Sequence, residues 1–165
     1  MKDKTLILSD KQIQHKIRRI AFQILEFYDG TKELIIAGIA ENGFIFAEKL
    51  VKDIRAISDV NPKICKIIID KKQPHKSPEI SLAEEEYKGQ SLVLADDVLN
   101  TGSTLIYAVK HLLETDLKEL KTAVLIDRSH KKFPIKADFK GLSLSTSLSE
   151  TVKVTFAESS EAVLF

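Results

Sequence analysis

One short run near the middle of the chain combines carboxylates, hydroxyls and a glycine at close spacing. Two adjacent carboxylates, Asp96 and Asp97, end an apolar stretch at residues 91–95, and the run Thr101-Gly102-Ser103-Thr104 follows. If that run opens a helix, its backbone N–H groups and hydroxyls form a cradle for a phosphate. Gly102 lets the backbone approach such a ligand without a side chain in between.

The two carboxylates indicate what lies beside that phosphate. Carboxylates repel a bare phosphate ester, but they accept hydrogen bonds from vicinal hydroxyls. A ligand with a phosphate at one end and a diol in the middle, such as a 5-phosphoribosyl group, satisfies both halves of the run. The alternative is that the aspartates only begin a loop and the Thr-Gly-Ser-Thr residues only cap a helix. The predicted site consists of Asp96, Asp97, Val98, Leu99, Asn100, Thr101, Gly102, Ser103 and Thr104.

Alternating strands and helices are predicted around this run. Apolar stretches predict strands at residues 33–37, 63–69, 91–95, 121–126, 137–142 and 151–156. Apolar residues at helical spacing predict helices from a Ser9–Gln12 capping box to Gly30, at 44–57 and at 101–114. The polar residues 70–79 are predicted to form a mobile surface loop. This order is typical of an α/β fold whose ligands bind at the carboxyl ends of parallel strands.

Composition places the chain among ordinary globular proteins. Its 165 residues are 44% hydrophobic and 30% charged with a formal net charge of +1, so we expect one domain over residues 1–165 and no global field for nucleic acid or membrane. A single cysteine, Cys65, excludes an intramolecular disulfide. The lack of a long apolar stretch predicts no membrane span and, by default, a cytoplasmic location. Walker and Gly-x-Gly-x-x-Gly motifs do not occur, which removes the main support for ATPase and dinucleotide-binding functions.

The central run resembles the motif with which type I phosphoribosyltransferases bind phosphoribosyl pyrophosphate (PRPP). The matching residues are Leu92-Val93-Leu94-Ala95-Asp96-Asp97-Val98-Leu99-Asn100-Thr101-Gly102-Ser103-Thr104. Residues 123–139, around Asp127-Arg128-Ser129-His130, are similar to the pyrimidine-operon attenuator and uracil phosphoribosyltransferase family, PyrR. Ser145-Thr146-Ser147 and Ser149-Glu150 match as well. The resemblance covers about residues 6–156 and weakens between 58 and 90.

This resemblance implies a fold, a reaction and a cofactor. The fold is a mostly parallel twisted sheet flanked by helices, with a small hood. The reaction converts uracil and PRPP to UMP and pyrophosphate, with Mg²⁺ carried on PRPP near Asp96 and Asp97. These two catalytic residues would hold the ribose hydroxyls, and residues 101–104 would hold the 5′-phosphate.

The resemblance also assigns the remaining site residues and partners. The pyrophosphate loop would be Ala40, Glu41, Asn42 and Gly43. A mobile loop would bring Lys71 and Lys72 over the reaction centre, and the base pocket would contain Ile126, Asp127 and Arg128. The implied partners are PRPP, a nucleobase or nucleotide, a second copy of the chain in a homodimer or larger oligomer, and messenger RNA.

Three positions depart from the family pattern. Asn42 stands where the family's pyrophosphate loop has an arginine, and Glu41 before it either faces the pyrophosphate or turns to solvent. Lysine in the mobile loop does not reproduce an arginine fork. Leu148 replaces a lysine expected in the RNA-binding face, to which Lys16, Arg18 and Arg19 would contribute, and a solvated helix face explains those three equally well.

Three functions remain open at this stage. The leading hypothesis is a PRPP-dependent nucleobase transferase that prefers uracil. The second is a regulator that binds PRPP or nucleotide with little or no turnover, as the departures at Glu41 and Asn42 favour. The third is a purine phosphoribosyltransferase.

Overall fold

The computed structural model describes residues 3–165 as a central sheet with helices on both faces and a small second sheet. The strands are β1 (Thr5–Leu8), β2 (Leu34–Ile39), β3 (Lys63–Ile68), β4 (Glu79–Ile80), β5 (Ser91–Leu99), β6 (Glu119–Asp127), β7 (Phe139–Ser143), β8 (Val152–Thr155) and β9 (Glu161–Leu164). The helices are α1 (Asp10–Phe27), α2 (Asn42–Ile57), α3 (Glu84–Tyr87) and α4 (Ser103–Leu112).

The central sheet has six strands in the order β4-β3-β2-β5-β6-β7, and only β4 runs antiparallel to its neighbour. Helices α1 and α2 pack on one face, where the buried side chains include Ile20, Leu50 and Leu125. Helix α4 packs on the other face, against residues such as Leu94. Because both faces are covered, the central segments of the inner strands, such as residues 34–37, 92–95 and 123–126, are apolar. The predicted α/β fold with a mostly parallel sheet is confirmed.

The elements that border the site are longer or shifted relative to the sequence prediction. Strand β5 does not end at residue 95, because β6 offers partners as far as Leu99, and the pairs Asp96–Val124 and Val98–Ile126 continue the ladder. Helix α2 begins at Asn42 instead of residue 44. Helix α4 begins at Ser103 and not at residue 101, because Gly102 has a left-handed φ of 85°. The acid pair, Asp96 and Asp97, therefore lies inside a strand.

The first helix begins as the sequence predicts. The Ser9 backbone N–H donates to Gln12 Oε1 at 2.9 Å, and the Gln12 N–H donates to Ser9 Oγ at 3.4 Å. This reciprocal capping box supplies partners for two donors at the helix start.

The hood is a three-stranded antiparallel sheet in the order β1-β9-β8. It joins the two ends of the chain, since Thr5 pairs with Leu164. Only β8 was predicted, as residues 151–156. Val152 and Val154 turn their side chains into the main core, which ties the hood to the central sheet.

Residues 70–78 form the predicted surface loop, but Glu79 belongs to β4, which pairs with the end of β3. The Asp70 carboxylate accepts the Lys72 N–H at 2.9 Å and so fixes the first turn of the loop. Within residues 3–165, no helix combines the length and the apolar character needed to cross a membrane.

Candidate functional site

A cleft of about 310 Å³ opens at the carboxyl end of β5, beneath the hood. Its lining comes from β5 and the loop after it, from the starts of α2 and α4, from the loop after β3 and from β8. The lining residues are Asn42, Lys71, Asp96, Asp97, Val98, Leu99, Asn100, Thr101, Gly102, Ser103, Thr104, Leu105, Val152, Lys153 and Val154. All nine residues of the predicted central run thus border one cavity, at the sheet edge where α/β folds bind ligands.

The acid pair forms one wall of the cleft. Asp96 is only 6% exposed, and its Oδ1 accepts the Asp97 backbone N–H at 2.9 Å. Burial raises the pKa of the Asp96 carboxyl well above its ordinary value, and the adjacent Asp97 charge raises it further, while Lys71 opposes the shift. Burial removes water from these carboxylates, which costs free energy. Hydroxyl groups of a bound ligand offset that cost, because they replace the hydrogen bonds that the water made.

The phosphate cradle, residues 101–104, lies at the start of α4. Gly102 caps the helix with its φ of 85°, and the first intrahelical bond runs from the Ile106 N–H to the Gly102 carbonyl at 2.9 Å. The backbone amides before Ile106 lie at the helix N-terminus, where anions are favoured. The Lys132 N–H donates to the Thr101 carbonyl at 2.8 Å and holds the loop from outside. The geometry suits a phosphate with its oxygens toward these amides.

The pyrophosphate loop, residues 40–43, joins β2 to α2 through a cis peptide bond between Ala40 and Glu41. Glu41 is exposed and does not border the cleft, so its side chain turns to solvent. The Asn42 amide donates to Asp97 Oδ2 at 3.2 Å and to the Val154 carbonyl at 2.9 Å. Gly43 lies so close to Asp96 that a Cβ there would come within 2.8 Å of its Oδ1. This loop packs against the acid pair but presents no side-chain cation.

Cations reach the cleft from two other places. Lys71 borders it from the loop after β3, whereas Lys72 is exposed beyond the lining. Lys153 borders it from the hood. The sequence prediction included Lys71 but missed Lys153, because no local pattern indicates which strand of the hood overhangs the cleft.

The three residues assigned to the base pocket lie behind this lining, at the end of β6. Ile126 is fully buried in the core. Asp127 is 2% exposed, accepts the Ser129 N–H at 3.0 Å and lies 3.5 Å from the Lys131 ammonium. Arg128 directs its guanidinium to other protein groups. Its partners are Thr146 Oγ1 at 2.7 Å, Asn100 Oδ1 at 3.3 Å, the Ser147 carbonyl at 3.0 Å and the Glu150 carbonyl. Arg128 thereby fixes the segment 146–150 beside the site.

The basic residues of α1 have structural partners. Arg19 donates to the Lys140 and Gly141 carbonyls at 2.7 and 2.8 Å, and Lys16 donates to the Gly141 carbonyl at 3.1 Å. These bonds cover the free edge of β7, which is otherwise a template for unwanted pairing. Arg18 lies 6.0 Å from the Phe22 ring centroid.

The cleft suits an Mg²⁺ ion that is bound mainly by substrate phosphates and not by a cluster of protein ligands. Across residues 3–165, no group of three or more His, Cys, Asp or Glu side chains gathers into a metal site. The acid pair beside a phosphate cradle instead suits a hard cation that arrives on substrate phosphates, as Mg²⁺ commonly does. Asp96 and Asp97 are the residues that would contact its shell.

Fold and site together define a class. A parallel sheet, a hood, and an acid pair followed by an amide cradle on one cleft are the features of type I phosphoribosyltransferases. The family model of the phosphoribosyl transferase domain matches residues 5–158, and the chain belongs to this family. A hypoxanthine-guanine phosphoribosyltransferase from Bacillus anthracis superposes with a TM-score of 0.74 at 21% identity, over 88% of this chain and 85% of that one. The hypoxanthine phosphoribosyltransferase of Trypanosoma cruzi gives 0.72 at 18% identity, over 85% and 81%. These structures support the fold.

Within the family, the similarity in sequence points to one group. The bifunctional protein PyrR of Brevibacillus brevis is 35% identical over 96% of this chain and 93% of its own length. PyrR of Clostridium acetobutylicum is also 35% identical, over 92% and 89%. The resemblance to PyrR drawn from the sequence is therefore confirmed.

Proposed function

We propose that the protein is a PRPP-dependent nucleobase phosphoribosyltransferase, with uracil as the preferred base and UMP and pyrophosphate as products. The single observation that carries this proposal is that the acid pair and the phosphate cradle border the same cleft. A 5-phosphoribosyl group spans such a pair of features, and its C1 then faces the space beneath the hood. The similarity to PyrR over nearly the full chain favours a pyrimidine over a purine.

The residues divide the work of this reaction. Asp96 and Asp97 accept hydrogen bonds from the ribose hydroxyls and hold the ring while positive charge develops at C1. The amides and hydroxyls of residues 101–104 bind the 5′-phosphate. The backbone of residues 40–43 faces the leaving pyrophosphate, and Lys71, with Lys72 beside it, adds positive charge. Mg²⁺, carried by PRPP, neutralises charge on the leaving group.

The base lies at the carboxyl end of β6 in this proposal. The backbone after Ile126 and Asp127 offers donors and acceptors there. Arg128 acts mainly by holding residues 146–150, because four of its N–H groups already have protein partners.

An assay with each base tests this function. The protein is mixed with PRPP, Mg²⁺ and one base at a time, and nucleotide formation is followed by chromatography. We expect conversion of uracil. If no base is converted the catalytic proposal fails, and conversion of hypoxanthine or guanine in preference to uracil would favour the purine alternative.

A second function is favoured by the pyrophosphate loop. Glu41 faces solvent and the Asn42 amide is committed to protein groups, so residues 40–43 bring no side-chain cation to a leaving group. A regulator that senses PRPP or UMP without turnover fits this loop. Calorimetric titration separates the two functions, since a sensor binds UMP or PRPP while the assay stays silent. RNA binding belongs to this alternative, although Lys16 and Arg19 already donate to carbonyl groups of β7 and Leu148 is 90% exposed in place of a lysine. A homodimer or larger oligomer is proposed for either function.

A further inference from the structure

Asn42 makes two contacts that the sequence alone does not suggest. A side-chain amide has two N–H donors, and here one goes to Asp97 Oδ2 at 3.2 Å and the other to the Val154 carbonyl at 2.9 Å. One residue at the start of α2 thus joins the central sheet to the hood.

The hood offers this carbonyl because β8 is an edge strand. Thr151 and Phe165 exchange both of their backbone hydrogen bonds, at 3.1 and 3.0 Å. In an antiparallel ladder the bonded pairs recur at every second residue, so residues 152 and 154 turn their backbone groups to the free edge. That edge borders the cleft. The Asn42 amide therefore supplies a partner for a carbonyl that the hood itself leaves unpaired.

The other contact acts on the acid pair. A hydrogen bond to a carboxylate is stronger than one between neutral groups. The adjacent Gly43 packs closely on Asp96, so the first turn of α2 contacts both acids. The Asp97 carboxylate is thereby held in one orientation at the cleft wall.

We propose that Asn42 is a positioning residue whose amide joins β8 to Asp97 and fixes the orientation of that carboxylate toward the ribose hydroxyls. This inference rests on the proposed function, because it takes a ribose phosphate as the ligand. It assigns Asn42 to the sugar and the hood instead of the leaving group.

Two probes separate a sugar-directed role from a general structural one. Inorganic phosphate requires only the cradle, whereas ribose 5-phosphate requires the cradle and the acid pair. Calorimetry on Asn42→Leu is expected to show ribose 5-phosphate affinity reduced about ten-fold and phosphate affinity within about two-fold of wild type. Asn42→Asp adds a negative charge beside Asp97 and is expected to weaken the binding of both anions. The matched control is Asn61→Asp, since Asn61 accepts a hydrogen bond from Arg55 at 2.7 Å outside the cleft and aspartate keeps that acceptor. In Asn42→Leu, equal loss of affinity for both ligands or an unchanged ribose 5-phosphate affinity would overturn the proposal.

Hydrogen exchange tests the same contact without a ligand. In the unliganded protein, Asn42→Leu is expected to speed deuterium uptake by the peptide covering residues 150–156 about five-fold, and Asn61→Asp to leave it unchanged. If the wild-type protein binds neither probe and converts no base, the proposed function fails, and this measurement decides the Asn42 contact by itself. Unchanged uptake in Asn42→Leu would overturn it.

Discussion

Strands β2 and β5 are neighbours in the sheet, and the loops that follow them differ in what they offer a ligand. The end of β5 and the segment that follows it, residues 96–104, offer two carboxylates, three hydroxyls and a helix N-terminus to the cleft. The loop after β2 offers the Asn42 amide, already bonded to Asp97 and Val154, while Glu41 faces away.

The contrast separates two tasks that a phosphoribosyltransferase must perform. Binding of the phosphorylated sugar depends on residues 96–104, whose carboxylates, hydroxyls and backbone amides all lie at the cleft. Neutralising the leaving group depends on cations, and in this chain Lys71 and Lys153 border the cleft from elsewhere. We therefore expect changes in residues 96–104 to affect ribose binding, a change at Asn42 to affect it through Asp97, and a change of charge at Glu41 to affect pyrophosphate binding.

The largest effect is expected from Gly102→Ala in the phosphate cradle. The residue has a φ of 85°, and an added Cβ would collide with the Ile135 side chain. Left-handed strain and overpacking together are expected to lower the free energy of unfolding by about 3 kcal/mol. Gly89→Ala is the matched control, because Gly89 has a φ of 73° with open space around it and so costs only about 1 kcal/mol. Equal losses in urea unfolding would show that the cradle is not tightly packed.

Asp97→Asn is expected to weaken the binding of the sugar while leaving the fold intact. Asparagine keeps the shape of the side chain but removes its negative charge. Hydrogen bonds from the ribose hydroxyls to that charged group are worth about 2 kcal/mol. Calorimetry should show ribose 5-phosphate affinity reduced about thirty-fold with an unchanged circular dichroism spectrum. Retained affinity would contradict the assignment of the acid pair to the diol.

Glu41→Lys is expected to strengthen the binding of pyrophosphate at the loop of residues 40–43. Replacing an exposed carboxylate beside the cleft by an ammonium changes the interaction with a polyanion by about 1 kcal/mol, so pyrophosphate should bind about five-fold tighter at low salt. Glu48→Lys, at an exposed position further along α2, is the control. A gain that is equal in both variants would indicate a general charge effect, and a gain that persists at high salt would show that screened electrostatic attraction is not its cause.

The smallest effect is expected from Asp96→Asn, measured as a stability that depends on pH. Because the pKa of Asp96 is raised in the folded protein, the folded state keeps a proton that the unfolded state loses above about pH 3.8. Wild-type stability therefore falls as pH rises from 3.8 through the raised value, and asparagine removes that loss. At pH 7 we expect a Tm about 2–4 °C higher, equivalent to about 1 kcal/mol, and no gain near pH 3. Asp116→Asn, the same substitution at an exposed site, is the control.

Much of the central sheet could be predicted because its signals are local. Each apolar run, in β2, β5 and β6, is continuous in sequence, and the Ser9 cap of α1 involves a residue only three positions away. The continuation of β5 through Asp96 to Leu99 could not be predicted, because it depends on the partners that β6 provides. The strands β1 and β9 were missed for the same reason, since Thr5 and Leu164 stabilise each other across the whole chain.

The same distinction between local and long-range signals applies to the candidate site. Residues 96–104 form a contiguous motif, so their common position on one cleft follows from the sequence. The contact of Asn42 with Val154 joins residues that are distant in sequence, and Lys153 borders the cleft only because the hood folds over it. Arg128 could be placed near the site but its partners in residues 146–150 could not, because loop conformation decides them.

A crystal structure of the protein with PRPP and Mg²⁺ tests most directly whether residues 96–104 bind the ribose phosphate as proposed. We predict the 5′-phosphate against the amides of residues 101–104 and the ribose hydroxyls within about 3 Å of the Asp96 and Asp97 carboxylates. A phosphate bound outside the cradle, or hydroxyls held by other groups with both carboxylates turned away, would contradict the account.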